Sequence, residues 1–183
     1  MNFTLIPVSY THLDVYKRQV LDIARYIINK CNEKGIIISN LKLQKLLYFV
    51  QGYMLALTGN RCFPEKIEAW DYGPVCPNAY HEFKRYGAMN IPPIKEYLEV
   101  SFDSQDNISW DKVQYDPYMI DSDTRKIIDA IIDNFAHLSA TRLVDITHNQ
   151  LPWHETYYSH PSERNAVIDE QLIKKYFENL ANG

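Results

Sequence analysis

Glycine is scarce, with six in 183 residues, and the three cysteines, Cys31, Cys62 and Cys76, include no CxxC pair. A phosphate-cradling loop has little material, and none of the GxGxxG, GxxxxGK(S/T) or GxSxG patterns occurs. An odd number of cysteines without a CxxC reads as reduced thiols of a cytoplasmic protein, two or three of them small apolar residues of the interior. No run of about 18 apolar residues is present, so no membrane-spanning helix is expected. The apolar run 3–8 is too short for a secretory signal and lacks a basic lead. Positive charge is not in excess either. Nineteen Lys+Arg against 23 Asp+Glu give a net charge of -4, which leaves no basic field to hold nucleic acid or an anionic membrane.

What is present is an ordinary globular balance, 46% hydrophobic and 23% charged, in a chain long enough for one domain. Val20, Ile23, Ala24, Ile27, Ile28 and Cys31 recur at helical spacing before Gly35. Ser39 and Asn40 can cap a second helix whose apolar face runs through Leu43, Leu46, Leu47, Val50, Tyr53, Met54 and Leu57 to Gly59, with Lys42, Lys45 and Gln51 on its other faces. Ile67, Ala69 and Trp70 suggest a short strand closed by a turn at Gly73-Pro74, and Pro77 opens a third helix that Gly87 stops. Residues 88–120 read as a loop insertion, with a hairpin expected over 97–102 and 108–113. Asp121, Ser122 and Asp123 cap a fourth helix, and Ser139 caps a fifth that Pro152 ends. A last helix starts near Asp169. The expected fold is mainly α: one compact domain of about six helices with a small β element.

Residues 1–19 stand apart from this pattern. The stretch 8–19, VSYTHLDVYKRQ, is what two inverted copies of a transposon mosaic end used in sequencing libraries encode. It reads as translated adapter sequence, so the domain is expected to occupy residues 20–183.

His148 and His154 lie six residues apart with Pro152 between them, which is not the i, i+4 spacing of zinc ligands on a helix. His148 reads instead as an imidazolium meeting the C-terminal dipole of a helix. Neither a metal nor a cofactor is expected. Lys84 and Arg85 beside Tyr86 form the best basic-aromatic cluster, diluted by His81 and Glu82. Of fourteen tyrosines, Tyr115, Tyr118, Tyr157 and Tyr158 lie in stretches that read as loops and are the better interface candidates.

Three segments together carry a resemblance: LKLQKLLYFVQGYMLALTG at 41–59, IEAWDYGPVCPNAYHEFKRYG at 67–87 and LSATRLVDITHNQLPWHETY at 138–157. Their order and type resemble the Panacea domain family, which includes SocA-like proteolysis adaptors and phage-associated proteins, over residues 20–177. The resemblance places 88–120 where that family varies. It implies a non-enzymatic bacterial or prophage antitoxin that binds and neutralises a cognate toxin encoded by an adjacent gene, with a protease as a further partner in some members. Carried onto this sequence, the partner-binding candidates are Trp70, Asp71, Tyr72, Gly73, Pro74, Lys84, Arg85, His148 and Trp153. The same residues also read as scaffold, since a Gly-Pro corner and tryptophans are what a turn packed on a helical core needs. Leu151 departs from the family, where a small or acidic residue is commoner. Two other classes remain open on the residues alone: a small hydrolase using His148 or His154 with a thiol or metal, and an acidic transcriptional regulator.

Overall fold

Caps and stops divide the chain much as the sequence suggests. The computed structural model describes residues 19–102, 108–159 and 165–182. In order they form α1 (Val20–Glu33), α2 (Asn40–Thr58), β1 (Glu68–Trp70), β2 (Gly73–Val75), α3 (Pro77–Phe83), β3 (Glu96–Phe102), β4 (Ile108–Gln114), α4 (Ser122–Phe135), α5 (Ala140–His148), α6 (Leu151–Ser159) and α7 (Glu170–Asn182). Residues 1–18 of the adapter-like stretch 1–19, the stretch 103–107 and His160 lie outside the described residues, while Gln19 is the N-cap residue of α1. The Ser39 hydroxyl accepts from the Lys42 N–H, the Asp121 carboxylate from Thr124 and the Ser139 hydroxyl from Arg142. Gly59, at φ 74°, closes α2 in the left-handed region. The expected 97–102/108–113 hairpin is present as β3 paired antiparallel to β4.

Three expectations are corrected. Pro152 does not end a helix: α5 stops at His148, and Pro152 sits in the first turn of α6, where its missing N–H costs nothing. The described residues hold seven α-helices in a mainly α fold, in line with the expected count of about six, and Tyr157 and Tyr158 are helical. Gly73-Pro74 is not the turn but the start of β2; the turn is Asp71-Tyr72, between β1 and β2.

The third correction concerns α2. Every residue from 42 to 55 is buried, including Lys42, Lys45 and Gln51, and Lys45 is 0% exposed. α7 and α4 pack most heavily on it, and α1, α3, α5 and β2 complete the sheath. A helix enclosed on all sides is the axis of the domain rather than one wall of it. Phe49 stacks on Phe135 with centroids 4.4 Å apart, and Phe177 meets Tyr48 and Tyr53 edge-on at 5.4 and 5.0 Å. Gly52 makes room for that ring: a Cβ there would lie 2.3 Å from the Phe177 Cε2.

Two measurements follow. Leu47→Ala should cost ~2–5 kcal/mol by denaturant unfolding. Gly52→Ala would ordinarily stabilise a helix by ~1 kcal/mol, yet here overpacking of ~1–3 kcal/mol should win. Its penalty should shrink in a Phe177→Leu background, and equal penalties in both backgrounds would contradict the packing described.

Candidate functional site

The β1–β2 hairpin is short, pairing Glu68 with Val75, Ala69 with Pro74 and Trp70 with Gly73. Its outer edge is closed by the segment 166–168, where the Ala69 N–H donates to the Ala166 carbonyl and the Ile168 N–H to the Ile67 carbonyl, both at 2.8 Å. From beneath, the Lys45 Nζ donates to the Pro74 carbonyl at 2.9 Å. Gly73 is required here on two counts. Its φ is 94°, and a Cβ would lie 2.8 Å from both Lys45 Nζ and Thr147 Oγ1. Gln44 extends the same bracing, since its Oε1 accepts from the Cys76 N–H that leads into α3.

α5 and α6 approach the same corner from the other side. The Trp153 Nε1 donates to the Trp70 carbonyl at 2.9 Å, and the Tyr157 hydroxyl donates to the Asp71 carboxylate at 2.9 Å. The His148 ring lies flat on Trp153, with centroids 3.9 Å apart and planes 11° from parallel, and Tyr157 also stacks on Trp153 at 4.7 Å. His148 also shares a hydrogen bond with the Asp71 backbone. Trp70 in turn reaches α3, meeting the Tyr80 ring edge-on at 4.8 Å. The two motifs that lie some 80 residues apart in sequence thus form one corner.

Burial without a carboxylate partner pushes the Lys45 amine down to about 7. Burial, and then the Lys45 charge, lower His148 below its usual range, so the ring is neutral near pH 7. The expectation of an imidazolium meeting the helix dipole is therefore overturned: the ring serves as a flat, uncharged partner for Trp153. Burial raises the Cys31 thiol to about 11 and the Cys76 thiol to about 12, so neither is ionised at neutral pH, and neither has the thiolate that a cysteine hydrolase needs. Among the described residues, no three His, Cys, Asp or Glu side chains gather where a metal could be held, and no helix is long and apolar enough to cross a membrane.

Trp70, Asp71, Gly73, Pro74, His148 and Trp153 come together at this corner. Gly73, Pro74 and Trp153 are buried and Trp70 and His148 half-buried, whereas Asp71 and Tyr72 are exposed, Tyr72 by 70%. Lys84 and Arg85 are exposed on the turn after α3, with the Arg85 guanidinium donating to the Tyr86 hydroxyl, and they line a different part of the surface. Leu151, the departure from the family pattern, is exposed at the start of α6. Sequence reasoning missed Gln44 and Thr147, put Lys45 on an outer face, and held Tyr157 to be an interface candidate in a loop, whereas it sits on α6. The signal that could have revealed Lys45 is the apolar run around it, which leaves no polar face broad enough for a solvated side.

A family model described as Antitoxin SocA-like, Panacea domain, matches residues 43–154. Antitoxin SocA of Caulobacter vibrioides is 32% identical over 132 residues, which cover 72% of this chain and 66% of that relative. The match thus spans just under two thirds of the relative's length. No solved structure matches.

The buried Lys45 gives a pH test. Between about 7 and its ordinary 10.5 the fold holds this amine neutral while the unfolded chain keeps it protonated. The unfolded state then binds more protons, and raising the pH favours the fold by up to ~1.4 kcal/mol per unit. Above pH 9 the buried thiols oppose this, because unfolding lets them ionise. Stability should climb from pH 7 to 9 in the wild type, and Lys45→Met should flatten that slope when both are followed by urea unfolding.

Proposed function

The chain belongs to the SocA-like, Panacea-domain antitoxin family, and from that premise we propose that it neutralises a cognate toxin by direct protein–protein binding, without catalysis of its own. The toxin would be the product of an adjacent gene in a bacterial or prophage toxin–antitoxin pair, and the two would meet in the cytoplasm. Delivery of the bound toxin to a protease is the additional activity that the adaptor members of the family suggest. The observation that supports a binding role most directly is the corner around Asp71-Tyr72. Tyr72 stands 70% exposed on a two-residue turn whose flanks are held by Lys45, Trp153 and Tyr157. An aromatic anchor on a braced turn loses little freedom on binding, and tyrosines in such positions dominate many interfaces. We assign the anchors to Asp71 and Tyr72, presented by Trp70, Gly73, Pro74, His148 and Trp153, and to Lys84 and Arg85 on the separate turn after α3.

Co-expression with the adjacent gene tests this through growth rescue and pull-down. The wild type should rescue growth and form the complex. Tyr72→Ala and Lys84→Glu should keep the wild-type circular dichroism while weakening the complex by ~2 kcal/mol or more. A wild type that neither rescues growth nor binds the neighbouring product would falsify the antitoxin reading. Rescue by wild type and variants alike would leave the function standing and remove the assigned anchors.

A further inference from the structure

β3 and β4 form a two-stranded ribbon whose register sets Leu98 opposite Lys112 and Glu99 opposite Asp111. Side chains alternate along each strand, so Leu98, Ile108, Trp110 and Lys112 share one face, and Tyr97, Glu99 and Asp111 share the other. Leu98, Ile108 and Trp110 are 62%, 60% and 66% exposed. The ribbon is anchored at its base, where the Tyr97 ring lies 3.5 Å from the Arg25 guanidinium and the Tyr115 N–H donates to the Lys95 carbonyl. Beyond that base, among the described residues, neither strand packs broadly against a helix. Leu98 and Trp110 instead form one wall of a groove of about 760 Å³ whose far wall carries Phe83, Arg85 and Tyr86.

Such a ribbon is incomplete by the rules that govern sheets. Two strands are marginal without a third or a covering layer, and their outer edges offer unpaired N–H and C=O groups. Carboxylates directly opposite one another, as Glu99 and Asp111 are, repel rather than hold the strands together. A second copy of this ribbon would not complete it, because pairing the two would set more carboxylates beside these. The missing element is therefore cationic on one face and apolar on the other.

Building on the antitoxin reading, we infer that the β3–β4 ribbon is an arm that grips the toxin by accepting one of its extended segments, of alternating apolar and basic residues, as a third strand. The period of two does the sorting. Apolar side chains of the added strand extend the Leu98–Trp110 face into the groove, while its lysines or arginines come beside Glu99 at the β3 edge or beside Asp111 at the β4 edge. Pairing along either edge gives the same alternation, so the ribbon selects the pattern through its faces and gains affinity through its backbone.

The test titrates the purified product of the adjacent reading frame onto the full chain by calorimetry, with hydrogen exchange read on the complex. Leu98→Ser/Trp110→Ser and Glu99→Lys/Asp111→Lys should each weaken binding about tenfold or more, with melting temperatures unchanged because these side chains are outside the core. In the wild-type complex, alternate amides of one ribbon strand should exchange more slowly. If the wild type forms no complex at all, the antitoxin reading falls and the arm falls with it. Full affinity in both variants, or ribbon amides that exchange as in the free chain, overturns the arm alone and leaves the antitoxin reading intact. Loss in the serine variant without loss in the lysine variant overturns the basic strand as the occupant.

Discussion

A helix enclosed on every side has to satisfy its own polar side chains inside the protein, and α2 does so for its lysines and glutamines by holding its neighbours, while the buried Tyr48 hydroxyl is left without a hydrogen bond among the described residues. Lys42 donates to the Ala136 carbonyl at the end of α4, and Lys45 to the Pro74 carbonyl. Gln44 accepts from the Cys76 N–H, and Gln51 binds the backbone of Cys62 and Phe63 through both ends of its amide. Each of these bonds removes two costs at once. A buried polar side chain and a buried backbone group, either of which would cost ~1–3 kcal/mol unpaired, satisfy each other. The loops that surround α2 are thereby fixed to it rather than merely packed on it.

Lys45 shows how far this goes. A lysine at 0% exposure with a backbone carbonyl as its hydrogen-bond acceptor is an expensive way to fill space, and desolvation drives its amine toward the neutral form. What it provides is a rigid link between the centre of the domain and the corner at Gly73-Pro74, which no apolar side chain of that length could make. The same link explains the glycine, because Lys45 Nζ and Thr147 Oγ1 occupy the space a Cβ would need. It also bears on His148, which burial first, and then any charge left on Lys45, holds toward the neutral form where it lies flat on Trp153.

Much of the fold was legible because helix ends are written in local chemistry. Ser39, Asp121 and Ser139 do as caps what their hydroxyl and carboxylate oxygens suggest, and the alternation in 97–102 and 108–113 does make a ribbon. Pro152 misled because a proline is compatible with the first turn of a helix as well as with the end of the preceding one, and only Asn149-Gln150 separates α5 from α6. Lys45 misled for a different reason. Lysines are almost always exposed, so its charge outweighed the apolar run on either side of it, and the packing of six elements around α2 leaves it no outer face. At the corner, the tryptophans and the Gly-Pro pair were identifiable from the sequence as residues that a packed turn uses. Which were scaffold and which were surface depended on contacts across some 80 residues, to which no local pattern refers.

That division has a physical consequence for how such a binder can change. At the corner, Trp153 and Gly73 are tied to the core through Trp70, Lys45 and Thr147, so altering them disturbs folding before it disturbs recognition. On the ribbon, Leu98, Ile108 and Trp110 rest on little else, so altering them leaves the core untouched. For the arm proposed above, the substitutions that would redirect binding are not the ones that cost stability, so one rigid frame could carry new ribbon faces. The exposed apolar surface that makes the ribbon a liability for a chain in isolation is, on this argument, tolerated because a partner covers it.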